Sequence, residues 1–550
     1  IISLIAKELN ISISQVKNTL ELLEEGATVP FIARYRKERT KGLDEEQIRV
    51  IQENYAYQVN LAKRKEEVLA RIETLGKLDD EIVKNVNACT KLSQVEDIYC
   101  PYKQKKKTRA SVAIANGLQP LAETFMSFPR YFKETELDAY INENVKDREA
   151  AIQGACDIIA EKVSDDVDVR NKILDSMTNY GRVVTSEKKD HEDDHKVYKM
   201  YYDYSERVNT LAPHRVMAID RGEKEKVLNV SISFNEEYIE NWVCRRFIRF
   251  NNSGTSEYVH TAILDGLKRL AYPSIERMVR SALSEKAHES SIDVFSMNLE
   301  KLLLQPPMKD KVILGFDPAF RTGCKLAVID ASGKKLTVDV IYPHQPNAKV
   351  RESEQKLVQL CKEYHVNLIA IGNGTASRES EAFVANTIKK FNLPVSYTIV
   401  SEAGASVYSA SKLAIEEFPD LHVEQRSAIS IARRLMDPLS ELIKIDPQSI
   451  GVGQYQHDLP TARLKERLDF VVEKAVNRVG VNINTASVSL LKNVAGLNNA
   501  SATSIVSYRE ENGKIESRTQ IKKIPKIGPK AFEQAAGFLR IEDGKEPLDR

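Results

Sequence analysis

The chemistry on offer in this sequence comes from carboxylates and lysines that stand where the local pattern changes. The run Lys311–Asp317, KVILGFD, is apolar, rich in β-branched residues, and ends on Asp317. Bounded by turn residues, such a run reads as a buried strand. A carboxylate at its end is placed either to hold a divalent cation or to cap the following turn. Glu402 follows a second apolar run, Val395–Val400, and stands at that strand's end, where its carboxylate could reach Asp317. His457-Asp458 opens a later helical stretch. His191-Glu192-Asp193-Asp194-His195 matches the H-E-x-x-H spacing of a zinc-ligating helix. Its flanks, SEKKD and KVYK, lack the apolar stripe that would pack such a helix, so it reads as an exposed polar loop.

Basic side chains form a second group. Lys103, Lys105, Lys106, Lys107 and Arg109 fall within seven positions, behind Tyr99 and Tyr102. Such a run relieves its own repulsion by meeting phosphates, and the aromatics could stack on bases. Pro30–Gly42, PFIARYRKERTKG, is also basic with aromatics interleaved. It fits a phosphate contact or a solvated helix face.

These groups need a frame. KVILGFD is followed by a turn at Pro318–Gly323, a strand at Cys324–Asp330, a hairpin at Ala331–Lys334 and a strand at Lys335–Tyr342. Helix Val350–Tyr364, strand Val366–Ile371, helix Glu379–Phe391 and strand Val395–Val400 come next. Three meandering strands and then βαβ units make a mixed sheet with helices on its faces. The end of the first strand in such a sheet is where RNase H-like nucleases hold a metal ion.

Upstream, residues 1–310 read mostly as helix. Ser3–Leu9 and Ser12–Glu25 are helical, and Ala6, Leu9, Ile11, Ser12 and Val16 match a helix-turn-helix spacing. An ordinary αα-hairpin fits equally, and Glu21, Glu24 and Glu25 would repel phosphates. Glu45–Leu75 reads as one long helix with Val59, Ala62, Val68 and Ile72 on its apolar side. VMAIDRGEKEKVLNVSISF reads as two strands around a charged turn, and helices resume from Glu257 to Leu304. Downstream of the sheet, helices are expected over Ser406–Glu417, Ser427–Leu435 and Ala462–Val479, with a turn at Gly451-Val452-Gly453.

Two helix-hairpin-helix signatures close the chain, LLKNVAGLNNASATSIVSYR and IKKIPKIGPKAFEQAAGFLRI. A glycine-containing hairpin exposes backbone N–H groups at the start of the next helix, and these bind phosphate without reading base sequence. The first centres on Gly496-Leu497-Asn498, with Asn498 suited to a left-handed position. The second carries Lys526, Gly528 and Lys530.

Composition bounds these readings. The 550 residues are 42% hydrophobic and 29% charged, which suits a multidomain globular protein. No apolar run approaches the ~20 residues that span a bilayer, so no membrane partner is expected. Six scattered cysteines without a C-x-x-C pair suit a reducing, cytoplasmic setting. The net charge is +1, so nucleic-acid binding must come from local patches.

GATVPFIARYRKERT, DIYCPYKQKKKTR, FDPAFRTGCKLAVID, SIARRLMDPLSELIKIDPQSIGVGQYQHDL and IPKIGPKAFEQAAGFLRI together resemble the bacterial Tex family of transcription accessory proteins. The resemblance implies a mainly α, multidomain chain with an embedded α/β RNase H-like (YqgF) domain and a tandem helix-hairpin-helix domain. The expected order is a helical N-terminal region (1–190), a mixed central region (191–310), the YqgF domain (311–436), a helical connector (437–480) and the hairpins (481–550). It also implies a C-terminal OB-fold RNA-binding domain, which this chain is expected to lack, since it stops at Pro547–Arg550.

By the same resemblance, Asp317, Glu402 and Asp458 would be the catalytic and metal-binding carboxylates. A two-metal nuclease needs about three or four carboxylates, yet Asn373 stands where a Glu is expected. The expectation is a non-catalytic platform that binds RNA or DNA without base specificity and works with the transcription machinery. No cofactor is then needed. The alternative is a Mg- or Mn-dependent nuclease or resolvase.

Overall fold

The computed structural model describes the chain apart from residues 100–101, 103–106, 190–192, 194–195, 251, 543, 545 and 547–550. The chain forms two compact units, one of residues 1–54 with 292–550 and one of residues 55–291.

In the first unit, five strands make one mixed sheet. They are numbered in chain order after the three short strands of the other unit, β1 (Arg182–Glu187), β2 (Asp203–Arg207) and β3 (Leu228–Ser233). They are β4 (Ile313–Asp317), β5 (Cys324–Ile329), β6 (Lys335–Ile341), β7 (Leu368–Gly372) and β8 (Ser396–Val400), in the order β6-β5-β4-β7-β8. β4, β5 and β6 pair antiparallel, and β4, β7 and β8 pair parallel. Apart from Asp317 and Lys325, β4 and β5 are apolar because both faces of the sheet are covered. Leu314, Phe316, Leu326 and Val328 pack with Leu357, Leu360 and Val384 from helices Val350–Glu363 and Ser377–Phe391. Ile313, Ala327 and Ile329 pack on Ala428, Ile431 and Ala432 of helix Val423–Met436 on the other face. That helix comes so close that a Cβ at Gly315 would collide with the Ala428 carbonyl oxygen.

The same unit holds the N-terminal helices Ile2–Glu8, Ile13–Glu24, Val29–Tyr35 and Lys37–Thr40. Ser12 closes a capping box on the second of them. Pro30–Gly42 is only partly exposed: Arg34, Lys37 and Lys41 face solvent. Pro30, Phe31, Ile32 and Ala33 are buried, which leaves the arginines to find partners at the rim. Helix Thr461–Val479 leads to two strands, β9 (Val481–Asn482) and β10 (Leu539–Arg540), whose parallel pairing closes the hairpin region.

The second unit is helical around β2-β1-β3, an antiparallel sheet. Of the two strands expected in VMAIDRGEKEKVLNVSISF, only β3 forms. Val216, Met217 and Ile219 lie in helix Pro213–Lys224, with Pro213 in its first turn. A short apolar run does not separate strand from buried helix, and β3 instead pairs with β1, which the sequence pattern did not mark. Helix Glu45–Thr74 forms as expected, but it buries Leu61, Val68 and Ile72 and leaves Val59 and Ala62 exposed. In the first unit, the single helix expected over Ser406–Glu417 is broken into Ala405–Ser409 and Lys412–Glu417. Ser411 caps the second piece through the Ala414 N–H.

Candidate nucleic-acid interface and carboxylate pocket

Asp317 ends β4, and the antiparallel register sets Lys325 of β5 directly opposite it, on the same face of the sheet. Lys325 is 4% exposed, with its Nζ 2.7 Å from Glu424 Oε2 and donating to Thr322 Oγ1 at 2.5 Å. Helix Val423–Met436 supplies Glu424 and also Ser427, whose hydroxyl donates to Asp317. Burial pushes the Asp317 carboxyl up to about 6; nearby Glu402 and Glu424 add to that, while Ser427 and Lys325 oppose it.

Glu402 comes from the loop after β8 and folds over the end of β7. A Cβ at Gly372 would lie 2.5 Å from Glu402 Oε2, and one at Gly374 would collide with Oε1, so glycine at both positions makes room for the carboxylate. Asn373, between them, accepts the Glu402 backbone N–H on its side-chain oxygen at 3.0 Å. Burial raises the Glu402 carboxyl above its ordinary range, opposed by the Gly374 N–H and by Arg434. Arg434 is 3% exposed and donates from Nη1 to the carbonyls of Ser401 (2.7 Å) and Ala403 (2.8 Å) on either side of Glu402. Burial lowers its guanidinium to about 10.

The fold thus brings Asp317 and Glu402 together. Asp458 lies in the turn Gln456–Asp458. Among the described residues no group of three or more His, Cys, Asp or Glu could hold a metal ion. Lys325, Glu424, Ser427 and Arg434 were not singled out from the sequence. The signal for Lys325 was a lone charge inside a strand otherwise apolar.

The hairpins differ from one another. Gly496 of the first has φ +79°, and a Cβ there would lie 2.7 Å from Gln534 Cβ in the second hairpin's helix. Asn498 is extended rather than left-handed, at φ −136°. It is the N-cap of Asn499–Asn512, its Oδ1 accepting the Ser501 N–H at 3.0 Å while its own N–H donates to Ser501 Oγ at 2.8 Å. The glycine takes the strained position and the asparagine the cap, each the cheaper choice. Leu497 donates its N–H to Val494 O. The first loop is therefore largely engaged within the protein.

In the second hairpin, Lys526 occupies the left-handed position (φ +66°). Gly528 precedes helix Pro529–Ala535 without a side-chain cap, and nothing lies within 4 Å of a Cβ built on it. Lys522, Lys523, Lys526 and Lys530 are all exposed. Among the described residues none is ion-paired, although Lys522 lies over the Phe532 ring at 4.8 Å and Lys530 Nζ beside Gly26. The opposite side of this helix is fastened to the N-terminal segment. Gln534 accepts from Thr28 N–H at 2.9 Å and donates to Gly26 O at 3.0 Å, and Arg36 pairs with Glu533 at 2.6 Å.

Of the other basic residues, Arg109 opens helix Arg109–Ala115 and both it and Lys107 are exposed. Lys103, Lys105 and Lys106 lie outside the described residues, as do His191, Glu192 and His195 of the H-E-x-x-H spacing.

Family models match four stretches: Tex-like protein N-terminal domain (1–73), Tex central region-like (129–295), Tex protein YqgF-like domain (311–436) and helix-hairpin-helix motif (476–540). Protein YdcI of Bacillus subtilis is 51% identical over 551 residues, covering 99% of this chain and 76% of the relative. The chain belongs to the Tex family. The transcriptional accessory protein Tex of Neisseria gonorrhoeae is 43% identical over 558 residues, 99% of this Tex chain and 72% of that protein. The human S1 RNA-binding domain-containing protein 1 is 36% identical over 565 residues, 98% of this chain and 56% of that protein. The mixed sheet carrying Asp317 lies within the YqgF-like match, and both hairpins lie within the helix-hairpin-helix match. Among the described residues no helix is long and apolar enough to cross a membrane.

Proposed function

We propose that this Tex chain is a nucleic-acid-binding platform of the transcription machinery, gripping RNA or DNA by its phosphates without base specificity and without cleaving it. The observation that carries the reading is the second hairpin, where four lysines and the uncapped Gly528 backbone share one exposed turn. Lysines free of internal partners gain most from phosphate, and their binding is salt-dependent and sequence-tolerant. The names of the relatives, transcriptional accessory protein and S1 RNA-binding domain-containing protein, support the same assignment. Lys107 and Arg109 are further exposed basic residues, in the other unit. The YqgF-like domain, in which Lys325 and Arg434 stand among the carboxylates, acts as scaffold.

One titration series tests this. Labelled single-stranded RNA, single-stranded DNA and duplex DNA are incubated with the protein, with and without Mn²⁺, and binding and cleavage are read from the same samples. The expected result is binding that weakens steeply from low to moderate salt, with intact substrates throughout. Salt-insensitive binding would overturn the phosphate contact. Mn²⁺-dependent products lost in Asp317→Asn would replace the platform by a nuclease.

A further inference from the structure

The residues at the end of the sheet do not fit the metal ions that an RNase H-like nuclease employs. Such a centre needs about three or four carboxylates around two metals. Here Asp317 and Glu402 are neighbours, the third carboxylate that acts on Asp317, Glu424, is already ion-paired to Lys325, and Asn373 has committed its side-chain oxygen to the Glu402 N–H. Two cationic side chains enter the same pocket from other elements.

We infer that the Lys325 ammonium and the Arg434 guanidinium are the resident counter-ions of Asp317 and Glu402, closing the pocket to divalent cations with charges built into the chain. The inference deepens the non-catalytic reading above and rests on it.

Register puts Lys325 opposite Asp317, where its charge acts on that carboxyl, while its Nζ is ion-paired to Glu424 and hydrogen-bonded to Thr322. Its neighbours in the strand, Cys324 and Leu326, are buried, so a displaced ammonium would have no second set of partners in reach. Arg434 is tied to the carbonyls before and after Glu402 and cannot swing away without freeing that loop. Among the described residues, Glu402 Oε2 and Arg434 Nε and Nη2 make no hydrogen bonds; the Arg434 charge is offset first by Glu441 and then by Glu402, and in turn acts on the Glu402 carboxyl. A divalent cation would meet two like charges at close range in a poorly solvated site. Glu424, Ser427 and Arg434 all belong to helix Val423–Met436, so the same charges fasten that helix to the sheet.

The test uses Mn²⁺ alone as the probe on the full chain, with no nucleic acid present. Its outcome is therefore independent of whether the hairpin lysines bind phosphate. Mn²⁺ binding is followed by electron paramagnetic resonance and by the shift in Tm. The wild-type chain is expected to bind no Mn²⁺ that Asp317→Asn removes. Lys325→Met, and Lys325→Met with Glu424→Gln to restore charge balance, are expected to gain Asp317-dependent binding at least about tenfold tighter than wild type. Two results overturn the inference. One is wild-type Mn²⁺ binding that Asp317→Asn abolishes, a measurement that stands even if both lysine variants fail to fold. The other is a folded lysine variant that gains no Mn²⁺ binding.

Discussion

Pro30–Gly42 and Lys522–Lys530 look alike as sequence: each is basic, each interleaves apolar residues, and each follows a helix. In the folded chain two arginines of the first stretch are taken up by carboxylates, and the lysines of the second are not. Arg36 pairs with Glu533 and lies over the Phe31 ring at 4.7 Å, and Arg39 reaches Glu21 and Glu25. The lysines of the second stretch are not ion-paired to any described residue. The lesson is that local charge density does not mark a binding surface. What matters is whether carboxylates from elsewhere in the chain have already met those charges. The carboxylate pocket makes the same point with the signs reversed, since Lys325 and Arg434 meet Asp317 and Glu402 from within.

The comparison is most directly broken by charge reversal. Lys526→Glu with Lys530→Glu is expected to cost about 1 kcal/mol per contact, roughly thirtyfold in affinity together, equally on all sequences and with a shallower salt slope. Fluorescence anisotropy across a salt series reads both effects, and unchanged affinity would move the interface to Lys107 and Arg109.

Gln534→Ala tests the fastening behind that surface. It removes a buried amide that bridges Gly26 and Thr28, and is expected to destabilise the chain by about 1–2 kcal/mol in urea unfolding.

The pocket provides a pH test. The folded pKa of Asp317, about 6, lies above its unfolded value near 4. The folded state therefore holds the extra proton between those limits. Stability falls as pH rises from about 4 to about 6 and levels off above. Asp317→Asn should remove this slope and stabilise the protein near pH 8 by on the order of 1 kcal/mol after solvent screening. A slope unchanged in the variant would assign it to another group.

The smallest effect is expected at the rim. Arg36→Glu should cost only about 0.2–1 kcal/mol because Glu533 is well exposed, and Glu533→Arg added to it should restore most of that. Neither change should alter the salt slope of nucleic-acid binding. A change would show that Pro30–Gly42 also touches the ligand.

Much of the architecture was legible before folding was considered. KVILGFD and CKLAVID became β4 and β5 because strands buried on both faces are apolar almost throughout, and KLTVDVIY became the half-buried β6 through its alternation of apolar and polar residues. The two hairpins were legible for a similar reason: only a few residue types make a tight turn before a helix. VMAID forms helix rather than strand because four apolar residues carry too little periodicity to choose between the two, and the strand that β1 does pair with, β3, lies about 40 residues beyond it in the chain. Asn498 was placed in the wrong backbone region because Asn suits both a left-handed turn and an N-cap, and only the position of Gly496 settles which is needed.

The sequence by itself determined which residues could form elements and where turns must fall, since those depend on the chain's nearest neighbours. It marked Asp317 and Glu402 as carboxylates at strand ends, and it marked the lysine-rich hairpin. Tertiary structure alone decided which charges are spent. Strand register set Lys325 against Asp317, the helix across the sheet carried Arg434 to the Glu402 loop, and the N-terminal segment took one side of the second hairpin while leaving its lysines in water. Pairing of that kind acts through space between residues far apart in sequence, and local pattern holds no record of it.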